Sequence, residues 1–170
     1  MVAVVMLLAA SSPGFSQAPT LDQLRAAFIY RFTQFVNWPD SLRSDRSPVV
    51  VGLLGADDLR PALEQILDGK QLDGRRYQVR VFDRPEEVRG CMVVFVDLPA
   101  ARQAGALESV SADGVLTIGN GEEFVHAGGV IALIEENRRI RFDINLTAAQ
   151  KARLRVQSAL LDLARRAGRW

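Results

Sequence analysis

Two side chains that commonly carry out chemistry in proteins are almost absent from this sequence. Cys91 and His126 are the only cysteine and the only histidine among its 170 residues. An internal disulfide is therefore excluded, and so is a zinc site made from several cysteine and histidine ligands. The acidic residues include several adjacent pairs, but neighbours in sequence point to different sides of a strand or helix. We interpret these pairs as solvated turns, and the sequence predicts no bound metal.

Signatures of nucleotide cofactors and of nucleic-acid binding are also missing. Gly52-Leu53-Leu54-Gly55 follows an apolar run, but it lacks the G-x-G-x-x-G spacing and the Lys-Ser/Thr pair that hold phosphates. No Ser/His/Asp arrangement can be read from the spacing of these residues. The net charge of +1 provides no general attraction to nucleic acid. The sequence therefore predicts neither an enzyme nor a cofactor, and it favours a binding protein.

No apolar run in the sequence is long enough to cross a bilayer as a helix. Val2–Ala10 is too short, and it precedes Ser16-Gln17-Ala18, which has small residues at the −3 and −1 positions of a cleavage site. We predict a secretory signal peptide over residues 1–18 and a single domain over residues 19–170, located in the periplasm after cleavage near Ala18. No Lys or Arg precedes the apolar run, so a start upstream of Met1 stays open. The alternative to a signal peptide is that this apolar run forms a buried N-terminal helix.

Apolar runs of strand length alternate with amphipathic runs of helix length along the middle of the chain. Val49–Leu54 and Met92–Val96 are continuous apolar runs, typical of strands covered on both faces. Tyr77–Val81 alternates apolar and polar residues, and helices are predicted over Leu59–Leu67 and Pro99–Ser109. Alternation at this spacing predicts an α/β fold, a three-layer sandwich whose mostly parallel, mixed sheet has helices on both faces.

The last third of the chain is predicted to contain three strands and a long helix. Val115–Ile118 is a short apolar run, and the segment 130–144 has the pattern of a β-hairpin with its turn at Glu135–Arg138. Thr147, with Gln150 three residues later, predicts a capping box. A single amphipathic helix is then predicted to extend to Arg166.

Another helix is predicted at the start of the domain. Thr20 and Gln23 match a capping box, an aromatic stripe follows, and Pro39 ends the helix because the residue before a proline disfavours the α region. The stripe favours packing in the core, with a binding groove as the alternative. Trp38, near the end of this helix, either covers the core or faces a partner.

Two further features are interpreted as structural. The adjacent glycines Gly128-Gly129 precede a buried strand, which predicts a positive φ angle or a close approach of the chain. Cys91 begins an apolar run, and we expect it to pack as a small buried side chain.

Two motifs in the sequence resemble those of the YfiR-like family. One is the helix end Tyr30-Arg31-Phe32-Thr33-Gln34-Phe35-Val36-Asn37-Trp38-Pro39. The other extends from Val115-Leu116-Thr117-Ile118-Gly119-Asn120 through Gly128-Gly129 and Arg141–Asn145 to Ser158–Leu161. The resemblance covers about Leu24 to Ala164 and implies a similar α/β sandwich. The motif positions to which we assign structural roles are Phe28, Tyr30, Phe35, Pro39, Gly119, Gly128, Gly129, Phe142 and Asn145.

The resemblance also implies a function. YfiR-like proteins are periplasmic repressors that bind the periplasmic sensor domain of an inner-membrane diguanylate cyclase and hold it inactive, which limits cyclic-di-GMP and biofilm formation. Such a repressor acts by binding the inactive state of its receptor more tightly. Family members often carry further cysteines, so a redox role through an internal disulfide is not expected here. The sequence leaves open whether the protein forms a homodimer. The alternative function is a periplasmic receptor for a small ligand, bound at the carboxyl ends of the parallel strands.

Basic residues are concentrated in the C-terminal region. Residues 138–170 contain nine Lys/Arg and two Asp, a net charge of +7, so the remainder of the chain carries −6. We predict one positive patch there that faces an acidic partner surface. The alternative is a solvated strand face, with Arg165 and Arg166 placed to suit a helix C-terminus. The predicted partner-binding residues are Trp38, Arg139, Arg141, Arg153 and Arg155.

Overall fold

A computed structural model describes residues 18–43, 46–112, 114–137 and 139–170. The body of the predicted signal peptide, residues 1–17, lies outside the described residues. The strands are β1 (Val36–Asn37), β2 (Val49–Leu54), β3 (Gln71–Leu72), β4 (Arg75–Phe82), β5 (Val93–Val96), β6 (Leu116–Asn120), β7 (Ile131–Glu136), β8 (Arg139–Asn145), β9 (Arg155–Val156) and β10 (Arg166–Gly168). The helices are α1 (Leu21–Phe35), α2 (Asp40–Arg43), α3 (Arg60–Leu67), α4 (Ala100–Val110), α5 (Glu123–His126), α6 (Leu146–Lys151) and α7 (Ser158–Leu161).

Eight of the strands form one mixed sheet in the order β10-β8-β7-β6-β5-β2-β4-β3. The strands from β4 through β2, β5 and β6 to β7 are parallel, whereas β3 and β8 run antiparallel to their neighbours β4 and β7. β1 and β9 pair separately, also antiparallel. The predicted three-layer α/β sandwich with a mostly parallel mixed sheet is therefore confirmed.

Helices cover both faces of the sheet. On one face, α1 and α3 pack on the central strands through buried side chains such as Ile29, Phe32 and Leu63. On the other face, α4 and α5 do so through Leu107 and Phe124. The central strands β2 and β5 are buried along their whole length, as continuous apolar runs predict for strands covered on both sides.

Helix α1 begins as predicted and ends earlier than predicted. Thr20 and Gln23 form a capping box, in which each side chain binds the backbone N–H of the other. The helix stops at Phe35, four positions before Pro39, because Val36 and Asn37 become extended and pair with β9.

The aromatic stripe of α1 lies in the core, as its pattern favoured. The ring of Phe32 is 5.0 Å from the ring of Phe142 in β8 and 5.8 Å from that of Phe28. Tyr30 makes an edge contact with Tyr77 of β4 at 6.0 Å. These contacts join the first helix to both halves of the sheet.

The predicted hairpin and its turn are confirmed. Strands β7 and β8 pair antiparallel from Ile131–Ile144 to Glu136–Arg139. Asn137 in the turn has φ 50°, a left-handed conformation that asparagine tolerates better than most residues.

The single helix predicted from Thr147 to Arg166 is wrong. The chain forms α6, β9, α7 and β10 there instead. Helix α6 ends at a Schellman motif: Arg153 has φ 55° and donates its N–H to the carbonyl of Gln150, while the N–H of Leu154 binds the carbonyl of Ala149. This turn buries Leu154, which is 3% exposed.

The start of α6 also differs from the prediction. Its N-cap is Asn145 and not Thr147, since the Asn145 Oδ1 accepts the N–H of Ala148 at 3.0 Å. The same amide group donates from Nδ2 to the carbonyl of Val125 at 2.9 Å. Asn145 thereby ties the end of β8 to α5 as well as beginning α6.

Candidate functional site

The predicted partner-binding arginines do not form one surface. Arg139 and Arg141 lie at the start of β8, whereas Arg153 and Arg155 follow α6, beyond the end of that strand. A strand rises about 3.3 Å per residue, so the two ends of β8 are separated by roughly 20 Å. The single positive patch expected from the sequence is therefore two separate surfaces.

The first surface is a groove that contains Arg153 and Arg155. Its volume is about 400 Å³, and Asn37, Trp38, Pro39 and Asp40 complete its lining. Arg155 is held opposite Asn37 by the β1–β9 pairing, and both arginines are exposed. The groove thus presents two guanidinium groups and one carboxylate on a concave surface. We call it the β9 groove.

Trp38 forms the inner edge of the β9 groove and belongs mainly to the core. Its side chain is 6% exposed, and its indole N–H donates to the carbonyl of Gly114 at 2.9 Å. A buried indole whose N–H has a partner is a stable core arrangement. Of the two roles considered for Trp38, the structure favours packing over direct contact with a partner.

The second surface contains Arg139 and Arg141 on the outer part of β8. Arg141 lies 3.7 Å from Glu136 in an exposed ion pair, a type of contact that contributes little to stability. The exposed face expected for this strand does not continue along it. Asp143 and Asn145 point to the same side as these arginines, yet they are only 1% and 2% exposed.

Asp143 is buried because Arg165 binds it. The Nε and Nη2 atoms of Arg165 lie 2.9 and 2.6 Å from the two carboxylate oxygens of Asp143, a bidentate pair. Arg165 also contacts Glu136 at 2.9 Å and Glu122 at 2.6 Å. The hydrogen bond to Asp143 raises the pKa of the Arg165 guanidinium, so this group stays charged at any pH at which the protein is folded. We call this group of four residues the Arg165 cluster.

The Arg165 cluster uses much of the positive charge expected to be available to a partner. Arg141, Arg165 and Arg166 all contact Glu122 or Glu136, which lie outside the basic C-terminal region. Arg165 and Arg166 also do not lie at a helix C-terminus, since α7 ends at Leu161. The sequence patterns do not predict the Arg165 cluster. Its one local signal was the acidic residue at an alternating position of a predicted strand.

The buried surroundings of Cys91 differ from those of a reactive thiol. Cys91 is 7% exposed, and burial raises the pKa of its thiol to about 11, so the reactive thiolate is scarce near neutral pH. His126, at the end of α5, makes an edge contact with the ring of Trp170 at 6.1 Å. Within the described ranges, no three His, Cys, Asp or Glu side chains are grouped so as to hold a metal ion.

The carboxyl ends of β2 and β5 border a small crevice of about 280 Å³. The chain leaves β2 toward β4 on one side and later reaches β5 on the other, so this is where α/β folds commonly bind ligands. The crevice is acidic, with Asp57, Asp58 and Asp97 in its lining. Asp22 and Arg25, which also line it, already pair with each other at 3.1 Å.

The sequence matches a family described as YfiR/HmsC-like over residues 22–165. This range includes β1 to β9 and all seven helices except the first residue of α1. The chain belongs to the YfiR/HmsC-like family. Among the described residues, no helix is long and apolar enough to cross a membrane.

The solved structures that are similar to this fold include the following two. One is a conserved domain protein from Vibrio cholerae O1 biovar El Tor, with a TM-score of 0.58 and 12% identity over 87% of this chain. The other is the ABC domain from Streptococcus pneumoniae in complex with L-Trp, with a TM-score of 0.52 and 10% identity over 86% of this chain. This chain spans 60% of the length of each. At such identities the likeness shows the fold alone, and no protein of curated function matches the sequence significantly.

Proposed function

We propose that this YfiR/HmsC-like protein is a periplasmic repressor that binds the periplasmic sensor domain of an inner-membrane diguanylate cyclase and holds the cyclase inactive. The observation that carries the proposal is the family match over residues 22–165. The repressor binds the inactive state of the sensor more tightly than the active state, so its binding shifts the receptor population across the membrane. The protein itself needs no catalytic group for this.

The proposed contact with the sensor is the β9 groove. A concave surface that carries two exposed arginines suits an acidic surface of a partner. Charge pairing of this kind mainly accelerates association and fixes the orientation of the partners. The advantage is largest at low salt, and it shrinks as the Debye length falls to about 8 Å near physiological ionic strength.

A small-ligand receptor remains the second candidate function, through the crevice at the ends of β2 and β5. Its volume of about 280 Å³ is below the ~300–1,000 Å³ that is usual for pockets that enclose drug-sized ligands. Two of the charged side chains that line the crevice, Asp22 and Arg25, also form an ion pair with each other. We therefore place the repressor role first.

Affinity capture tests the proposal. The tagged full chain, cross-linked in intact cells and purified from solubilised membranes, should retain an inner-membrane protein with a diguanylate cyclase output domain. Recovery of only a transporter or an outer-membrane receptor would overturn the repressor role and favour the ligand receptor.

Two matched charge reversals test the surface. With the purified periplasmic domain of the captured cyclase, the variant Arg153→Glu/Arg155→Glu should associate about tenfold more slowly at low salt, with little loss near 1 M salt. The variant Arg139→Glu/Arg141→Glu changes the charge equally at the other end of β8, and it should associate like the parent. If this second variant is the slower one, the contact lies on the outer part of β8 and not in the β9 groove.

A further inference from the structure

Strand β4 pairs with another strand along its outer edge through its first two residues alone. Strand β3 pairs with Arg75 and Arg76 alone, whereas β2 pairs along the opposite side of β4 from Tyr77 to Phe82. Just before β3, the N–H of Lys70 does not continue the pairing with β4 and donates instead to the carbonyl of Leu67. The outer edge of β4 from Tyr77 onward is therefore the end of the sheet.

The turn between β3 and β4 determines which backbone groups face this edge. Asp73 and Gly74 both have positive φ angles, 51° and 78°, as in a two-residue type I′ hairpin. The closing residue Arg75 directs its N–H and C=O toward β3, so alternation directs those of Tyr77, Val79 and Val81 outward. Within the described ranges, no backbone hydrogen bond outside the sheet involves these three residues.

A groove of about 630 Å³ runs beside this edge, between β4 and α3. Leu67, Tyr77 and Val79 contribute apolar surface to its lining, and Arg60, Lys70 and Arg76 contribute positive charge. Glu64 in the same groove is paired with Arg60 at 2.8 Å. The remaining charges in the lining are those of Lys70, Arg76 and Asp68.

A row of arginines accompanies the open edge. Arg76 and Arg80 lie on either side of Gln78, two positions from it, on the exposed face of β4. Arg80 donates to the neutral side chain of Gln78 at 3.3 Å. In the part of the chain that the structure describes, neither arginine has a carboxylate within ion-pair distance. This face of the edge therefore attracts negative charge.

The same arginines disfavour a second copy of this chain as the occupant. Antiparallel pairing of two β4 edges would bring four arginines, Arg76 and Arg80 of each copy, onto one face of two adjacent strands. Like charges on neighbouring strands are destabilising, both directly opposite and at diagonal positions within reach of long side chains. An occupant with acidic side chains on that face has the opposite effect.

We propose that the open edge of β4 binds an extended, acidic segment of a partner protein, which adds to the sheet as a further strand. The backbone groups of Tyr77, Val79 and Val81 hydrogen-bond to the segment. Its acidic side chains lie beside Arg76 and Arg80, and its alternate, apolar side chains lie over Leu67 in the groove. This proposal is independent of the repressor function, because it rests on the sheet edge and its charge alone.

Short peptides test the proposal. The probes are blocked hexapeptides in which Val alternates with Glu in one and with Lys in the other. In an NMR titration of the full domain, the Glu peptide should shift the amide signals of Tyr77, Val79 and Val81, and it should bind about tenfold more tightly than the Lys peptide. The variant Arg76→Glu/Arg80→Glu, with both changes at exposed positions, should reverse this preference.

The reversal separates a charge effect from a loss of folding, because an unfolded variant prefers neither peptide. The matched control Arg139→Glu/Arg141→Glu should keep the preference of the parent. Three results would overturn the proposal: no shift with the Glu peptide at millimolar concentration, equal binding of both peptides, or shifts confined to other regions. A dimer in solution that protects the amides of Tyr77, Val79 and Val81 from exchange would assign the edge to a second copy instead.

Discussion

The ring of Phe124 lies between two glycines that leave no room for a side chain. Phe124 is fully buried. A Cβ atom on Gly119 would lie 2.4 Å from its Cδ2, and one on Gly129 would lie 2.1 Å from its Cε1. Both distances are far below van der Waals contact, so the ring of Phe124 leaves space for no residue larger than glycine at either position. A Cβ atom on Gly128 would meet no neighbouring atom, but the φ angle of Gly128 is 103°. Residues other than glycine rarely adopt this backbone conformation.

We predict that Gly129→Ala lowers the free energy of unfolding by about 1–3 kcal/mol, through overpacking against Phe124. In a Phe124→Leu background the same substitution should cost clearly less, because the smaller side chain can move away. Gly128→Ala is the matched comparison: it should cost about 1–3 kcal/mol through backbone strain, whether or not Phe124 is present. Chemical denaturation of the three single and two double variants measures the coupling. Equal costs of Gly129→Ala in both backgrounds would contradict the packing explanation.

The buried thiol of Cys91 illustrates a residue whose role the local sequence predicts well. Its Sγ atom would lie 3.0 Å from a Cβ atom on Gly52, so the thiol fills the space beside a glycine of β2. Burial raises the pKa of Cys91 to about 11, and a group whose folded-state pKa is raised stabilises the fold less as pH rises through that range. This titration lies well above neutral pH, so it does not affect the protein under ordinary conditions.

At the scale of elements, the segment after β8 shows why periodicity alone is an incomplete guide. Ala149 and Ala152 lie at helical spacing and are buried as expected, and Leu160 is buried too. Leu163, which the same periodicity placed on the buried face, is 70% exposed. The chain leaves the helix at Arg153 because burial of Leu154 and the pairing of β9 with β1 are available only outside it.

The left-handed conformation of Arg153 leads to a prediction on this element. Arg153→Gly should give a more stable protein than Arg153→Val by about 1–2 kcal/mol, since glycine adopts a positive φ angle without the steric cost that a Cβ atom imposes. Both variants lose the contacts of the arginine side chain, so the difference between them isolates the backbone. Thermal or denaturant unfolding measures it. If Arg153→Val is the more stable variant, the end of α6 does not depend on the Schellman turn.

At the scale of the whole molecule, the Arg165 cluster joins parts of the chain that are distant in sequence. It links the segment before β10 to β8 through Asp143, to the end of β7 through Glu136, and to the start of α5 through Glu122. The Arg165 N–H also donates to the carbonyl of Phe142 at 2.8 Å. The contacts of this side chain thus add to the backbone pairing that holds β10 against β8.

We expect Arg165→Met to lower the free energy of unfolding by about 3–5 kcal/mol, because it leaves the buried carboxylate of Asp143 without a partner. Arg166→Met is the control at an exposed pair with Glu122, and it should cost less than about 1 kcal/mol. The double variant Arg165→Met/Asp143→Leu should recover a large part of the loss, since it removes the buried charge together with its partner. Equal stability of the two single variants in urea would show that Asp143 is not effectively desolvated.

Local patterns in the sequence determined much of the architecture. The alternation of apolar runs and helical segments predicted the three-layer sandwich, the capping box at Thr20 predicted the start of α1, and Gly128-Gly129 predicted a special backbone conformation. Each of these features depends on residues that are close together in the sequence. Their physical causes, which are side-chain periodicity, capping and backbone sterics, act within a few residues.

The tertiary structure alone decided the features that depend on distant partners. The predicted C-terminal helix is divided because β9 pairs with β1, more than a hundred residues earlier. The predicted basic patch is divided because Arg139 and Arg141 lie at the start of β8, whereas Arg153 and Arg155 lie beyond its end, after α6. Glu122 and Glu136 also pair with Arg141, Arg165 and Arg166. Burial and ion pairing depend on which surfaces meet once the chain has folded, and one-dimensional patterns carry no information about that meeting.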